Sequence, residues 1–183
     1  MNLEKRNVID YYRYWTTEAV RADLDSKRFN YGVLCANIQG DFNIGSVIRS
    51  ANAFLAREVI IYGKKRYDPR GTVGTHHYEN FRHVRLTDSL VEAVKGYDRI
   101  VGIDNIDRAL PIDEMRVDRD EKVLLCFGEE DSGLPKEVMD ICNEFAYIRQ
   151  FGSVRSLNVG CAAAISLFEY TRRCNVKQDG FCL

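Results

Sequence analysis

From residue 31 onward the chain alternates between two hydrophobic periods, and this limits the folds open to it more than any other feature. Short, almost wholly apolar runs such as Val59-Ile60-Ile61-Tyr62, Ile100-Val101-Gly102-Ile103 and Val123-Leu124-Leu125-Cys126-Phe127 read as strands buried on both faces. Strands are predicted over 33–38, 59–62, 83–86, 100–103, 123–127 and 145–148. Between them the apolar residues recur at helical spacing. A helix is predicted over 43–56, with Ile44, Val47, Ile48, Ala51 and Leu55 on one face. Others run from a cap at Thr87 or Asp88 to about 94, from Pro135 as first-turn residue, and over 158–173. Strands alternating with helices imply an α/β domain: a mainly parallel sheet with flanking helices.

The region before residue 31 has a different character. Tyr11, Tyr12, Tyr14 and Trp15 crowd together, and Ile9, Tyr12, Trp15 or Thr16, and Ala19 fall at helical spacing, predicting one amphipathic helix over 8–27. The expected organisation is a helical extension over 1–30, a docking element without chemistry of its own, followed by one domain over 31–183.

Composition excludes several classes. No apolar run is long enough for a membrane span, and no apolar stretch follows the first residues, so neither a membrane protein nor a signal peptide is expected. Six cysteines contain no C-x-x-C pair, which argues against a zinc or redox centre and for reduced thiols in the cytoplasm. The formal charge of −1 argues against a surface evenly coated for nucleic acid, but it sums opposed regions. Residues 57–85 carry seven Lys or Arg against three Asp or Glu, together with all three histidines and several aromatics. Such a stretch suits phosphate contact and base stacking. The acids concentrate over 104–121 and 129–144.

Ligands of a parallel sheet sit beyond the carboxyl ends of its strands, which directs attention to three segments. The first, Asn43-Ile44-Gly45-Ser46-Val47-Ile48-Arg49, places an Arg one to two turns along a capped helix, a geometry for phosphate. The second, Gly128-Glu129-Glu130-Asp131-Ser132-Gly133-Leu134, is too acidic for a P-loop and lacks the G-x-G-x-x-G of a dinucleotide site. It suits a ligand with hydroxyls or positive charge. The third runs from Ile148-Arg149-Gln150 through Ser156-Leu157-Asn158-Val159 into a helix of small residues, with Ser156 or Asn158 as cap.

Together these segments resemble the motifs N-x-G-x-x-x-R, G-x-E-x-x-G-L and S-L-N-V of the TrmH/SpoU branch of the SPOUT methyltransferases, in the same order, over roughly 31–173. Arg149 and Gln150 stand where Pro-Met is common in that branch, and Gly160 where Ser is usual. The resemblance implies an α/β fold with a C-terminal trefoil knot and a homodimer. It implies S-adenosylmethionine as methyl donor, a ribose 2′-hydroxyl of tRNA or rRNA as acceptor, and no metal. The catalytic residues it implies are Arg49, Asn43, Glu130, Ser156 and Asn158, with Arg49 as a phosphate clamp. Ile103, Gly128, Glu130, Ile148, Gln150, Ser156 and Leu157 would hold the cofactor, and Arg49, Lys64, Lys65, Arg66, Arg70 and Arg155 the RNA. The competing expectations are a catalytically silent RNA-binding protein of the same fold and a base-methylating SPOUT enzyme.

Overall fold

The computed structural model of the protein describes residues 6–36, 41–63, 67–85, 88–129 and 132–175. Its centre is a seven-stranded sheet in which every adjacent pair is parallel. The strands are β1 (Tyr31–Ala36), β2 (Val59–Tyr62), β3 (Phe81–Val84), β4 (Arg99–Ile103), β5 (Leu110–Pro111), β6 (Val123–Phe127) and β7 (Glu144–Tyr147). Their spatial order is β3-β2-β1-β6-β4-β7-β5. The helices are α1 (Thr17–Asp25), α2 (Asp41–Ala53), α3 (Pro69–Thr72), α4 (Leu90–Val94), α5 (Lys136–Ile141) and α6 (Val159–Asn175).

Alternation of side chains along each strand creates two cores. Tyr31, Val33 and Cys35 of β1, with Val101, Leu125 and Phe127, face α2 and α6 and pack on Ile44, Val47, Ile48, Ala163 and Leu167. Leu34 and Ala36, with Ile60, Ile100, Leu124 and Cys126, face α4 and α5 and pack on Leu90, Val94 and Val138. The central strands are therefore dry on both sides, as their continuous apolar runs require. Cys35, Cys126 and Cys174 are buried free thiols. Loss of water pushes the Cys35 thiol up to about 12, so it stays protonated. Among the described residues no helix is long and apolar enough to cross a membrane.

Strands β2 and β6 have the limits the sequence predicts, β1, β3, β4 and β7 shift by one or two residues, and the two-residue edge strand β5 is not predicted. The helix expected to begin at a cap on Thr87 or Asp88 instead begins at Leu90, and Ser89 accepts the Glu92 amide. Asp88 accepts the Arg85 amide, and Thr87 lies outside the described residues. Pro135 precedes α5 in extended backbone rather than opening it.

The single helix expected over 8–27 is broken. Residues 10–12 form one 3₁₀ turn, and α1 starts only at Thr17, capped by the Thr16 hydroxyl, which accepts the Ala19 amide at 3.1 Å. The cause is visible at Arg6. Its guanidinium donates to the carbonyls of Tyr12, Arg13 and Trp15 at 3.3, 2.9 and 2.7 Å, capping oxygens that a continuous helix would have bonded to its own amides. Tyr12 and Val20 are buried against Tyr78, while Ile9 is exposed.

The amino-terminal segment is held to the domain by a buried charge. Arg28, before β1, donates to the carbonyls of Ala56 and Tyr78, both at 2.7 Å, and to Glu79 Oε2 at 3.0 Å. Asn52 at the end of α2 donates to Glu79 Oε1 at 2.6 Å. Both ionic side chains are nearly inaccessible, 4% for Arg28 and 0% for Glu79. Burial pushes the Glu79 carboxyl above its usual value, against the pull of Arg28 and Asn52. A second such knot joins Arg99 at the start of β4 to Glu121 at 3.0 Å and Glu144 at 2.9 Å.

Helix α6 opens on Asn158, whose Oδ1 accepts the amides of Gly160 at 2.9 Å and Cys161 at 3.3 Å. A Cβ on Gly160 would lie 3.0 Å from Ser46 Cβ, so the glycine lets α6 lie close on α2.

Removing one partner of a buried pair strands the other, so Glu79→Ala should cost about 3–5 kcal/mol in urea unfolding. Lys136→Ala, which breaks the exposed pair with Asp140, should leave the midpoint unmoved. Asn158→Ala should cost about 1–2 kcal/mol through the lost cap and the lost donor to Asn43, and Asn158→Asp, which keeps the capping acceptor but not that donor, should restore only part of it.

Candidate active site

The carboxyl ends of β4, β6 and β7 open into a cavity of about 570 Å³, a size suited to a small organic ligand. Each strand leads into one of its walls: Ile103 to Ile106 at the end of β4, Gly128, Glu129 and Ser132 to Leu134 after β6, and Ile148, Gln150, Arg155 to Leu157 and Val159 after β7. Two of these three segments are the glycine-rich acidic loop and the third motif.

The acidic loop is shaped by what its glycines lack. Glu129 and Gly133 exchange backbone hydrogen bonds of 2.9 Å in each direction, closing a tight turn. Gly133 has φ +68°, a left-handed conformation that side chains resist. A Cβ on Gly128 would fall 2.2 Å from the Gly133 carbonyl carbon, so the strand can approach its own returning chain only as glycine. Ser132 donates from its hydroxyl to Glu129 Oε2 at 2.9 Å.

Two residues after β4 then fasten the walls together. Asp104 Oδ2 accepts the Leu134 amide at 2.9 Å, and its Oδ1 accepts the Asn105 amide at 2.8 Å. Asn105 Nδ2 donates to the Arg155 carbonyl at 3.0 Å, holding the third motif. Sequence reasoning misses Asp104 and Asn105. The one signal they offer is a polar pair directly after a fully apolar strand, at the end of the sheet where ligands bind.

Of the residues expected at a cofactor, Ile103, Gly128, Ile148, Gln150, Ser156 and Leu157 all line the cavity. Glu130 lies outside the described residues. Of those expected to act in catalysis, Asn158 Nδ2 donates to Asn43 Oδ1 at 2.9 Å, joining the first motif to the third. Arg49 sits exposed on α2, outside the cavity wall, with no ion pair among the described residues. Arg155 lines the cavity yet reaches solvent. Arg149 turns away: it pairs with Asp113 and Glu114 and does not line the cavity.

Lys64, Lys65 and Arg66 lie outside the described residues. Elsewhere in the basic stretch, the charge count overstates what is free to bind. Arg82 donates to both oxygens of Glu58 at 2.6 and 2.8 Å, and Arg70 to Asp68 Oδ2 at 2.8 Å. Among the described residues no group of three or more His, Cys, Asp or Glu is arranged to hold a metal ion.

The cavity suits an amphipathic ligand carrying amines and hydroxyls. Ile103, Leu134, Ile148, Leu157 and Val159 offer apolar walls for a flat ring, and Asp104, Glu129, Ser132 and Ser156 offer polar partners. Gln150 Oε1 is buried with no hydrogen-bond donor among the described residues, an acceptor that a ligand can satisfy.

The SpoU rRNA Methylase family matches residues 30–168 of this chain. The 23S rRNA (uridine(2479)-2′-O)-methyltransferase of Streptomyces viridochromogenes is 30% identical over 150 residues, which are 78% of this chain and 52% of that one. The crystal structure of the SpoU methyltransferase AviRb from the same species, in complex with the cofactor AdoMet, superposes with a TM-score of 0.68 at 29% identity, covering 80% of this chain and 58% of that one. A TrmH/SpoU tRNA modifying enzyme of A. aeolicus superposes with a TM-score of 0.73 over 86% of this chain and 81% of that one, and at 24% identity speaks for the fold. The chain spans between 52% and 63% of the length of the first three curated relatives. With the family match running from the start of the sheet well into α6, the chain belongs to the SpoU rRNA Methylase family.

Proposed function

We propose that the protein is an S-adenosylmethionine-dependent RNA methyltransferase that modifies a ribose 2′-hydroxyl of tRNA or rRNA. The observation that carries this reading is the arrangement of the three motif segments. Two of them form the cavity, and the Asn158–Asn43 hydrogen bond joins it to the helix that bears Arg49. The AdoMet-bound relative and the 2′-O specificity in the name of the Streptomyces viridochromogenes enzyme support it.

When bound, S-adenosylmethionine supplies an electrophilic methyl group on a sulfonium. The chain's own residues then have three tasks. Ile103, Leu134, Ile148 and Leu157 exclude water from the ligand's apolar part, while Asp104, Glu129 and Ser156 meet its polar groups. Asn158 holds the third motif in register with α2 through Asn43. Arg49, exposed on α2, grips an RNA phosphate and so positions the ribose. Its planar guanidinium fork matches the paired oxygens of a phosphate. The 2′-hydroxyl proton leaves to that phosphate or to water. Glu130 touches hydroxyls of acceptor or cofactor, and Lys64, Lys65, Arg66, Arg70 and Arg155 add phosphate contacts.

The reading extends to the assembly. Two identical subunits pair and the C-terminal segment is knotted, as the family resemblance implies. Ile165 and Phe168 of α6 are exposed apolar side chains available to a second copy. The buried free thiols fit the reducing cytoplasm.

Incubation with methyl-labelled S-adenosylmethionine and total RNA should label a single nucleotide class, with mass spectrometry placing the methyl on ribose. A methyl on a base would overturn the ribose assignment. Arg49→Ala should lower transfer on the order of 100-fold, the cost of a misplaced acceptor. Calorimetry should show cofactor affinity unchanged; if it fell with activity, Arg49 would belong to the cofactor site. RNA affinity should drop steeply with salt, and a flat dependence would rule out the phosphate grip.

A further inference from the structure

We infer that the side-chain carbonyl of Gln150 reads the 6-amino group of the methyl donor's adenine, making Gln150 a specificity-determining residue. The inference rests on the proposal that this cavity holds S-adenosylmethionine. Among the described residues only two buried side-chain polar atoms lack a partner, Arg6 Nε and Gln150 Oε1. Arg6 is otherwise occupied, since its terminal nitrogen already serves three carbonyls. Gln150 is in the cavity wall, and its oxygen stands as an acceptor without a donor. Buried acceptors in folded proteins are nearly always satisfied, so an orphan beside a ligand cavity points to a donor on the ligand.

The donor's chemistry can be narrowed by charge. An S-adenosyl ligand carries three kinds of hydrogen-bond donor: an ammonium, two ribose hydroxyls and the exocyclic amine of adenine. The ammonium is best met by a carboxylate, and the cavity supplies Asp104 and Glu129 on the walls after β4 and β6. The hydroxyls can both donate and accept, so Ser132 and Ser156 suffice for them. The amine is neutral and lies in the plane of a ring that needs apolar walls. Gln150 is the neutral acceptor on the third wall, two residues beyond Ile148 and in the same segment as Leu157. A 6-oxo purine would bring an acceptor against Gln150 Oε1, and the side-chain amide would have to turn its Nε2 inward to meet it. That mismatch predicts discrimination of about tenfold to a hundredfold.

The test measures binding without turnover or RNA. The full chain is titrated by calorimetry with S-adenosylhomocysteine and with S-inosylhomocysteine, which differ only in the group at purine position 6 and the proton on N1. The unaltered protein should bind the adenosyl ligand about 10–100 times more tightly. Gln150→Met, similar in length but without the acceptor, should bind both with a ratio near one, and Gln150→Glu, which keeps an acceptor, should retain the preference for the amine. Thermal melts of both variants control for folding. Equal binding of the two ligands by the unaltered protein overturns the inference and leaves the cofactor assignment standing, as does an undiminished preference in a folded Gln150→Met. Failure of the unaltered protein to bind either ligand overturns the cofactor assignment and this inference with it.

Discussion

A parallel strand cannot leave one face to water, because each connection to its neighbour must cross a face of the sheet and cover it. That constraint governs this molecule. It forces the central strands to be apolar throughout, places α2 and α6 on one side and α4 and α5 on the other, and leaves the strand ends as the sheet's polar backbone outlets. The two ends are treated differently. At the amino ends charges are matched: the buried Arg28 with Glu79, and the buried Arg99 with Glu121 and the part-exposed Glu144. At the carboxyl ends the chain folds back into loops, and the polar groups there tie loop to loop.

Those ties are short side chains used as tethers. Asp104 accepts the Leu134 amide, Asn105 donates to the Arg155 carbonyl, and Asn158 both caps α6 and donates to Asn43. Each tether joins segments far apart in sequence, so no one of the three motif segments has its shape alone. A cavity built this way is set by the packing of four strand connections, and a change in any tether shifts two walls together. Preorganisation of this kind is what a displacement reaction needs from a protein, since the gain lies in holding two reactants aligned.

The continuous apolar runs make the sheet legible in the sequence, and β2 and β6 fall at their predicted limits, because burial on both faces leaves an unmistakable pattern. β1 starts earlier than its apolar run suggests, at Tyr31, whose ring is buried and whose hydroxyl donates to the Phe54 carbonyl at 2.7 Å, a partner no local pattern reveals. The amino-terminal helix departs from its periodicity for a similar reason: Arg6 supplies donors from outside the repeat and ends it. At the site, the glycines and the S-L-N-V segment carry their signal in composition and spacing. Asp104 and Asn105 do not, since a polar pair after a strand is ordinary until its partners, the Leu134 amide and the Arg155 carbonyl, are known. The strength of the basic stretch is equally hidden, because counting charges cannot see that Arg82 is already paired with Glu58.

The contrast between the two ends of the sheet bears on what evolution can alter. A buried, matched pair such as Arg28 with Glu79 resists change, since losing either partner leaves the other charged and dry. The cavity end carries the opposite arrangement, with Arg49 exposed and the Gln150 oxygen unsatisfied among the described residues. A buried acceptor of that kind detracts from stability until a water or a ligand in the cavity completes it. Matched charge is thus concentrated at the amino ends of the strands and unsatisfied polarity at the carboxyl ends. The sheet core between them, apolar and close-packed, keeps the second arrangement from relaxing at the expense of the first.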